Sequence, residues 1–403
     1  MNDFVWFLAS VGTWSMAPFS FFLAFLTFKG LRLSRRAEHG IPGTSSYPKL
    51  LVLIPAHNEE VSISFTIQSV LAVDYPKDSF QVLVLADNCS DRTTAIAEAE
   101  GALVYVRKDT LRRGKGFALE DSFAKVLKDP KFSEMEGFIV LDADSAVGSD
   151  LLKQFADALQ KGADFAQCYS SVGNRDASIR TQLLTYALSL FNGVYMQGLD
   201  QAGLGAHLRG NGMGFSRTGY IRRPWSASSL AEDLEFSWRL RLQGEKVWFL
   251  SESTIFAEMP SQSGPSVSQR ARWEHGRAYL KKEYTKALLH ADVSLLKRLC
   301  WLMDLWMPSL SNLCGVVFLS FFVLIGMYVT QGSFGVVSVV AALSFLSILF
   351  YLGSPFFIMK LPMKYLASLW FAPYYAVWRL GVLLKKKPQE WIRTARERSG
   401  ESK

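Results

Sequence analysis

Three different patterns of apolar and polar positions succeed one another along this chain. Residues 4–28 are apolar with hardly a break, longer than the roughly 20 residues a helix needs to cross a bilayer, and Trp6 and Trp14 are suited to its interfaces. A glycine-, proline- and serine-containing stretch, 37–48, reads as a linker. From residue 50 the pattern changes to short apolar runs alternating with segments of helical spacing. LLVLIP and QVLVLAD read as buried strands, with a helix over 61–71 between them. A helix over 93–100, a strand over 103–106 and a helix over 116–127 follow, before the buried strand that starts GFIVLDADSAVG. Alternation of this kind predicts an α/β domain, a mostly parallel sheet with helices on its faces.

After residue 277 the long apolar pattern returns. Residues 295–306 are amphipathic and rich in aromatics, which suits a helix lying in a membrane interface. Residues 308–329 and 334–359 are each long enough to span, and a short polar turn joins them into a hairpin. The run 365–384 has lysines at both ends and contains Pro373 and Arg379, so an interfacial or re-entrant segment is favoured over a fourth span. The predicted organisation is a membrane helix with its basic flank (1–36), the linker (37–48), a catalytic-type domain (49–280), interfacial helices (281–306), two membrane helices (307–360) and a last interfacial segment with a basic tail (361–403).

Composition supports that division. Of 403 residues, 49% are hydrophobic and 13% aromatic, with the long apolar runs at the two ends and a middle that reads as ordinary globular protein. The net charge of +8 would suit nucleic acid, but the basic residues cluster beside apolar runs, at Lys29, Arg32, Arg35 and Arg36 and again at Lys385, Lys386 and Lys387. Positive flanks mark the cytoplasmic side of a membrane, which predicts an integral membrane protein with membrane lipids around it and its central domain in the cytoplasm. A bacterial inner membrane is the expected setting, and no nucleic acid is expected as partner. A cleaved signal peptide is disfavoured, because the basic cluster follows the apolar run and does not precede it. The four cysteines have no paired spacing and read as free thiols.

Candidate chemistry gathers in the loops after the strands. Asp142 and Asp144 end a buried strand, and two carboxylates one residue apart at such an edge suit a hard cation that also grips phosphate oxygens. A polar turn is the plain alternative. Arg112-Arg113-Gly114-Lys115-Gly116 is a basic turn before a helix, either a phosphate contact or an exposed charged loop. Leu208 to Gly214 is glycine-rich and reads equally as a loop or a packing turn. Glu232 and Asp233 open a helix, where they either complement its dipole or, facing a pocket, take a proton from a hydroxyl. Gln269-Arg270-Ala271-Arg272-Trp273 lies in a basic helical segment. Its guanidinium and indole suit a diphosphate and a sugar face, or simply a helix resting on a bilayer.

In this order, Pro55-Ala56-His57-Asn58-Glu59, Ala86-Asp87 with Asp91, Gly114-Lys115-Gly116, Asp142-Ala143-Asp144, Glu232-Asp233 and the QxxRW run from Gln269 resemble a membrane-integrated family 2 glycosyltransferase, the group that includes the cellulose, chitin, hyaluronan and poly-N-acetylglucosamine synthases. The resemblance covers about 49–279. It implies a GT-A type fold, an inverting transfer from a nucleotide sugar, expected to be UDP-linked, and Mg²⁺ or Mn²⁺ as cofactor. By the same resemblance Glu59 and Asp87 hold the nucleoside, with Ala56 and Lys115 in the nucleotide-sugar set. Asp142 and Asp144 bind the donor diphosphate, chiefly Asp144 through the metal, and Asp233 is the general base. Glu232, Gln269, Arg270, Arg272 and Trp273 fall in the acceptor and diphosphate set. Two departures matter. Ala86 stands where many relatives carry a second aspartate, and fewer spanning segments occur than in large processive synthases. One chain is therefore not expected to enclose a polymer pore. The implied acceptor is a saccharide, in polysaccharide synthesis with a homo-oligomer or a separate export protein as partner. The alternative is a lipid-linked acceptor, in glycolipid or lipid-linked oligosaccharide synthesis.

Overall fold

The computed structural model describes residues 2–34, 47–227, 229, 231–259, 266–332 and 335–376, with 2, 32–34 and 266–273 described by backbone alone. In chain order the elements are α1 (Asn2–Ser34), β1 (Leu50–Ala56), α2 (Ile63–Leu71), β2 (Phe80–Asp87), α3 (Thr93–Ala99), β3 (Leu103–Arg107), α4 (Lys115–Lys128), β4 (Gly137–Val140), β5 (Ser145–Val147), α5 (Leu151–Gln160), β6 (Phe165–Val172) and α6 (Ile179–Leu188). They continue as α7 (Tyr195–Gln201), β7 (Met213–Ser216), α8 (Arg217–Arg222), α9 (Glu232–Leu242), β8 (Val247–Ala257), α10 (Ser266–Leu289), α11 (Leu295–Trp306), α12 (Leu310–Gln331) and α13 (Val336–Ile358). A π-helical stretch, Ser189–Val194, precedes α7, and a 3-10 stretch, Met363–Phe371, follows α13. Two compact units result, one of Met1–Glu38, Ser189–Leu204 and Leu280–Lys364, the other of His39–Leu188, Gly205–Tyr279 and Tyr365–Lys403.

The second unit is built on one eight-stranded sheet in the order β3-β2-β1-β4-β7-β6-β8-β5. Its first half is parallel, as the strand and helix alternation predicts: β1 pairs in parallel with β2 and β4, and β2 with β3. The other half is mixed. β7 runs antiparallel to both β4 and β6, and β5 antiparallel to β8, while β6 and β8 are parallel. All four residues of β4 are buried, and β1 is buried at six of seven positions, which explains their unbroken apolar runs. Because β7 is antiparallel to β4, Met213 pairs with Val140, so the loop that feeds β7 emerges at the same sheet edge as Asp142. The helix expected from residue 61 begins at Ile63, since the Glu59 carbonyl first accepts from the N–H groups of Ser62 and Ile63.

The first unit is helical. Among the described residues three helices are long and apolar enough to cross a membrane: Asp3–Leu31 within α1, then α12 and α13. These coincide with the three apolar runs expected to span. Buried hydroxyls in α1 donate to carbonyls one turn back, Thr13 to Ala9 at 2.9 Å and Thr27 to Leu23 at 2.8 Å, so neither of these two is left bare in an apolar setting. Residues 189–204, inside the stretch expected to be one continuous catalytic domain, pack with these helices. The predicted segment 365–384 is described only to residue 376, and most of the 37–48 linker and the basic tail lie outside the described residues.

Candidate active site

The residues expected on the nucleoside side lie at and just after the ends of β1 and β2. Ala56 is buried, and its carbonyl accepts a weak hydrogen bond from the Cys89 thiol at 3.4 Å. His57 Nδ1 lies 2.7 Å from the Asp87 carbonyl, and the Glu59 N–H donates to Thr93 Oγ1 at 2.8 Å. Asp91 sits beneath this loop. Burial alone would raise its pKa, but hydrogen bonds from Thr93 and from the Glu60 N–H outweigh burial and lower it.

Asp87 is held by a residue that sequence reasoning passed over. Arg107, the last residue of β3, is buried and donates to Asp87 Oδ1 at 2.7 Å, to Asp121 at 2.6 Å and to Asp109 at 2.9 Å. The same guanidinium donates to the Arg112 carbonyl at 2.7 Å. One cation thus ties the end of β2 to α4 and to the loop that delivers Lys115. Its signal in the sequence was an arginine closing an otherwise apolar strand, a position that requires paired carboxylates elsewhere.

The second cluster lies at the end of β4. Lys115, the first residue of α4, forms an ion pair with Asp142 and donates to the Gly210 carbonyl at 2.7 Å. Gly210 has φ +78°, and a Cβ there would sit 3.3 Å from Asp233 Oδ2 and 3.8 Å from Lys115 Nζ. The Asp142 side, the lysine and the first turn of α9 therefore share one small space. Gly116 makes the approach possible, since a Cβ there would lie 2.8 Å from the Ala227 carbonyl and 3.5 Å from Glu232 Cβ. Asp233 keeps some solvent-facing surface. Burial of its carboxyl still dominates and raises its pKa, opposed by the Leu234 N–H and by the charges of Arg209 and Lys115.

Asp144 is buried and accepts from Ser145 Oγ at 3.4 Å. Among the described residues no group of three or more His, Cys, Asp or Glu side chains is arranged to hold a metal ion by itself. A hard cation held by one or two carboxylates and completed by phosphate oxygens and water needs no such group, so the oxygen donors of Asp142 and Asp144 fit Mg²⁺ or Mn²⁺. Gln269, Arg270, Arg272 and Trp273 lie on α10, and their side chains fall outside the described residues. The α10 backbone does reach the site's flank: a Cβ at Gly276 would lie 2.5 Å from Ala231 Cβ, next to Glu232.

Residues 48–276 match the family model described as glycosyltransferase like family 2. Among curated proteins, a β-monoglucosyldiacylglycerol synthase of Synechocystis is 28% identical over 62% of this chain and 54% of its own length. A probable glucomannan 4-β-mannosyltransferase of Oryza sativa is 27% identical over 64% of this chain and 45% of its own length. The chain thus spans about half the length of these relatives. A solved mannosyltransferase of Pyrobaculum calidifontis, in complex with GDP-Man and Mn²⁺, is similar in fold with a TM-score of 0.52 at 16% identity, over 92% of this chain and 99% of that one. The fold is of the GT-A kind, and with more than half of its length inside the family model the chain belongs to the family 2 glycosyltransferases.

Proposed function

We propose that this protein is a membrane-bound inverting glycosyltransferase that moves a sugar from a nucleotide diphosphate donor, expected to be UDP-linked, to an acceptor hydroxyl. The observation that carries the reading is the junction at Lys115, where one ammonium pairs with Asp142, caps the Gly210 carbonyl and lies beside the space occupied by Asp233. Groups suited to anchoring a diphosphate and a group suited to removing a proton are thereby brought to one place. Glu59 and Asp87 hold the nucleoside, with Ala56 in the nucleotide-sugar set. Asp142 and Asp144 would hold Mg²⁺ or Mn²⁺, which when bound offsets the negative charge of the diphosphate. Lys115 adds a second positive charge on the same side. Asp233 takes the proton of the acceptor hydroxyl as that oxygen attacks the anomeric carbon from the face opposite the leaving diphosphate. An α-linked donor then yields a β-glycoside. Gln269, Arg270, Arg272 and Trp273, with Glu232, close over the diphosphate and the acceptor.

Asp233→Asn tests the assignment. It keeps shape and donor contacts but removes the proton acceptor, so nucleotide binding is retained and transfer falls by at least about a hundredfold. Turnover near the wild-type rate would remove Asp233 from the role of base.

Two acceptor classes remain within this reading. A saccharide acceptor, as in polysaccharide synthesis, follows from the resemblance to the synthases and is supported by similarity to the probable glucomannan mannosyltransferase. A membrane lipid acceptor is supported by similarity to glycolipid synthases and by the three candidate spans. Membranes incubated with labelled UDP- and GDP-sugars distinguish them: a ladder of long chains supports the first, a single lipid-soluble product the second. The catalytic domain is proposed to face the cytoplasm.

A further inference from the structure

The turn that carries Asp142 and Asp144 is held at both its ends by the side-chain amide of Asn211, while Lys115 pairs with Asp142 and Thr66 Oγ1 accepts from the Ser145 N–H at 3.1 Å. This residue lies in the loop that enters β7, and it is 5% exposed. Its Oδ1 accepts from the Asp142 N–H at 3.1 Å, and its Nδ2 donates to Ser145 Oγ at 2.8 Å. The orientation of the amide is fixed by chemistry, because a backbone N–H can be met only by the oxygen. Ser145 Oγ, having accepted from the amide, is free to donate its own proton to Asp144 Oδ1 at 3.4 Å. One amide thus spans the turn from its first residue to the residue after its last.

The loop that presents this amide is rigidly built. The Asn211 carbonyl accepts from Gln167 Nε2 at 2.7 Å, the Gly212 N–H donates to the Val140 carbonyl at 2.9 Å, and the Gly212 carbonyl accepts from the Cys168 N–H at 2.9 Å. Glycines flank Asn211 at φ +78° and +76°, conformations that L side chains rarely adopt, so the chain bends sharply on both sides of it. The preceding carbonyl, of Gly210, is the one that accepts from Lys115.

We infer that Asn211 is a positioning residue for cation and diphosphate: by holding the Asp142 N–H and, through Ser145, the Asp144 carboxylate, it fixes the spacing of the two carboxylates and sets them against Lys115. The inference rests on the donor-site reading above and extends it to a residue that touches neither donor nor acceptor. Partners that orient a metal's carboxylates in this way typically affect affinity about 10- to 100-fold. No contact of Asn211 reaches Ala56, Glu59 or Asp87, so binding of the nucleoside alone should be indifferent to it.

The test is calorimetric binding of UDP and GDP to the full-length protein in detergent at increasing Mn²⁺, for wild type, Asn211→Ala and Ser145→Ala, with uridine and guanosine as metal-free probes. Asn211→Ala is expected to raise the Mn²⁺ concentration for half-maximal diphosphate binding about tenfold or more while nucleoside binding is unchanged. Ser145→Ala, which cuts only the Asp144 arm, is expected to shift it in the same direction by less, and it carries the test alone if Asn211→Ala does not fold. Wild-type Mn²⁺ dependence in either folded variant overturns the inference, as does an equal loss of nucleoside and diphosphate binding. Absence of Mn²⁺-dependent binding in the wild-type protein overturns the donor-site reading itself, a different result from equal dependence in wild type and variant.

Discussion

At the scale of single residues, the chemistry proposed for Asp233 has a consequence for pH. Its folded pKa is raised, chiefly by burial, above the roughly 3.9 of a free aspartate, while Arg209 and Lys115 oppose the rise. A base must be deprotonated, so the acid limb of kcat/KM should rise with pH through a midpoint above that ordinary value. In Asp233→Asn the limb should disappear with the activity, and in Arg209→Met, which removes a charge that favours the carboxylate, it should move to higher pH. A limb in the same place in wild type and Arg209→Met would argue against this electrostatic coupling. The sign for stability is opposite. A raised folded pKa contributes stability that is present below the unfolded pKa and lost as pH rises through the folded one. Asp233→Asn should therefore unfold at the same or a higher temperature than wild type near neutral pH, and this separates lost chemistry from lost fold.

At the scale of elements, legibility followed the period of the pattern. The parallel strands β1 to β4 and their helices were readable because each strand is apolar on both faces and each helix keeps its spacing. The mixed half was not assigned, since β6 reads FAQCYSSV, with its polar residues buried, and β8 reads VWFLSESTIFA, with Ser251, Glu252, Ser253 and Thr254 interrupting its apolar run, so neither keeps a clean strand pattern. The acidic candidates Glu59, Asp142 and Asp144 were legible as polar residues following apolar strands. Arg107 and Asn211 were not, because their importance lies in contacts 20 and 69 positions away in sequence, to Asp87 and Asp142. The packing of residues 189–204 was equally hidden. Within the helical unit Gln197 donates to the Gly30 carbonyl at 2.9 Å, and the Tyr195 hydroxyl donates to Asp304 at 2.7 Å. A Cβ at Gly198 would come within 2.5 Å of the Leu26 carbonyl, backbone against backbone. Gly198→Val should force α1 and α7 apart at a cost of about 1–3 kcal/mol, read as a lower unfolding temperature in detergent. An unchanged unfolding temperature would mean the crossing is looser than it stands here.

At the scale of the whole molecule, the number of spans and the placement of charge constrain one another. Among the described residues three helices are long and apolar enough to cross a bilayer. Three spans would put the residues before α1 and those directly after α13 on opposite sides. Lys29, Arg32, Arg35 and Arg36 follow the first apolar run, and Lys360 and Lys364 follow the last, so the positive-inside tendency assigns both flanks to the cytoplasm. With the N-terminus outside, that assignment also puts the sheet-bearing unit and the tail with Lys385, Lys386 and Lys387 in the cytoplasm. A fourth span over 365–384 would carry three lysines across and break the agreement. The expectation can be read by labelling intact cells with a membrane-impermeant maleimide, in a background whose four native cysteines are replaced by alanine or serine. Gln331→Cys, at the turn between α12 and α13, should label from outside, whereas Lys128→Cys at the end of α4 and Lys386→Cys in the tail should label only after lysis. Outside labelling at Lys386→Cys alone would establish the fourth span, and outside labelling at Lys128→Cys would reverse the orientation. A sheet-bearing unit outside would have no access to the nucleotide sugars of the cytoplasm, so the second result would also remove the donor class proposed here.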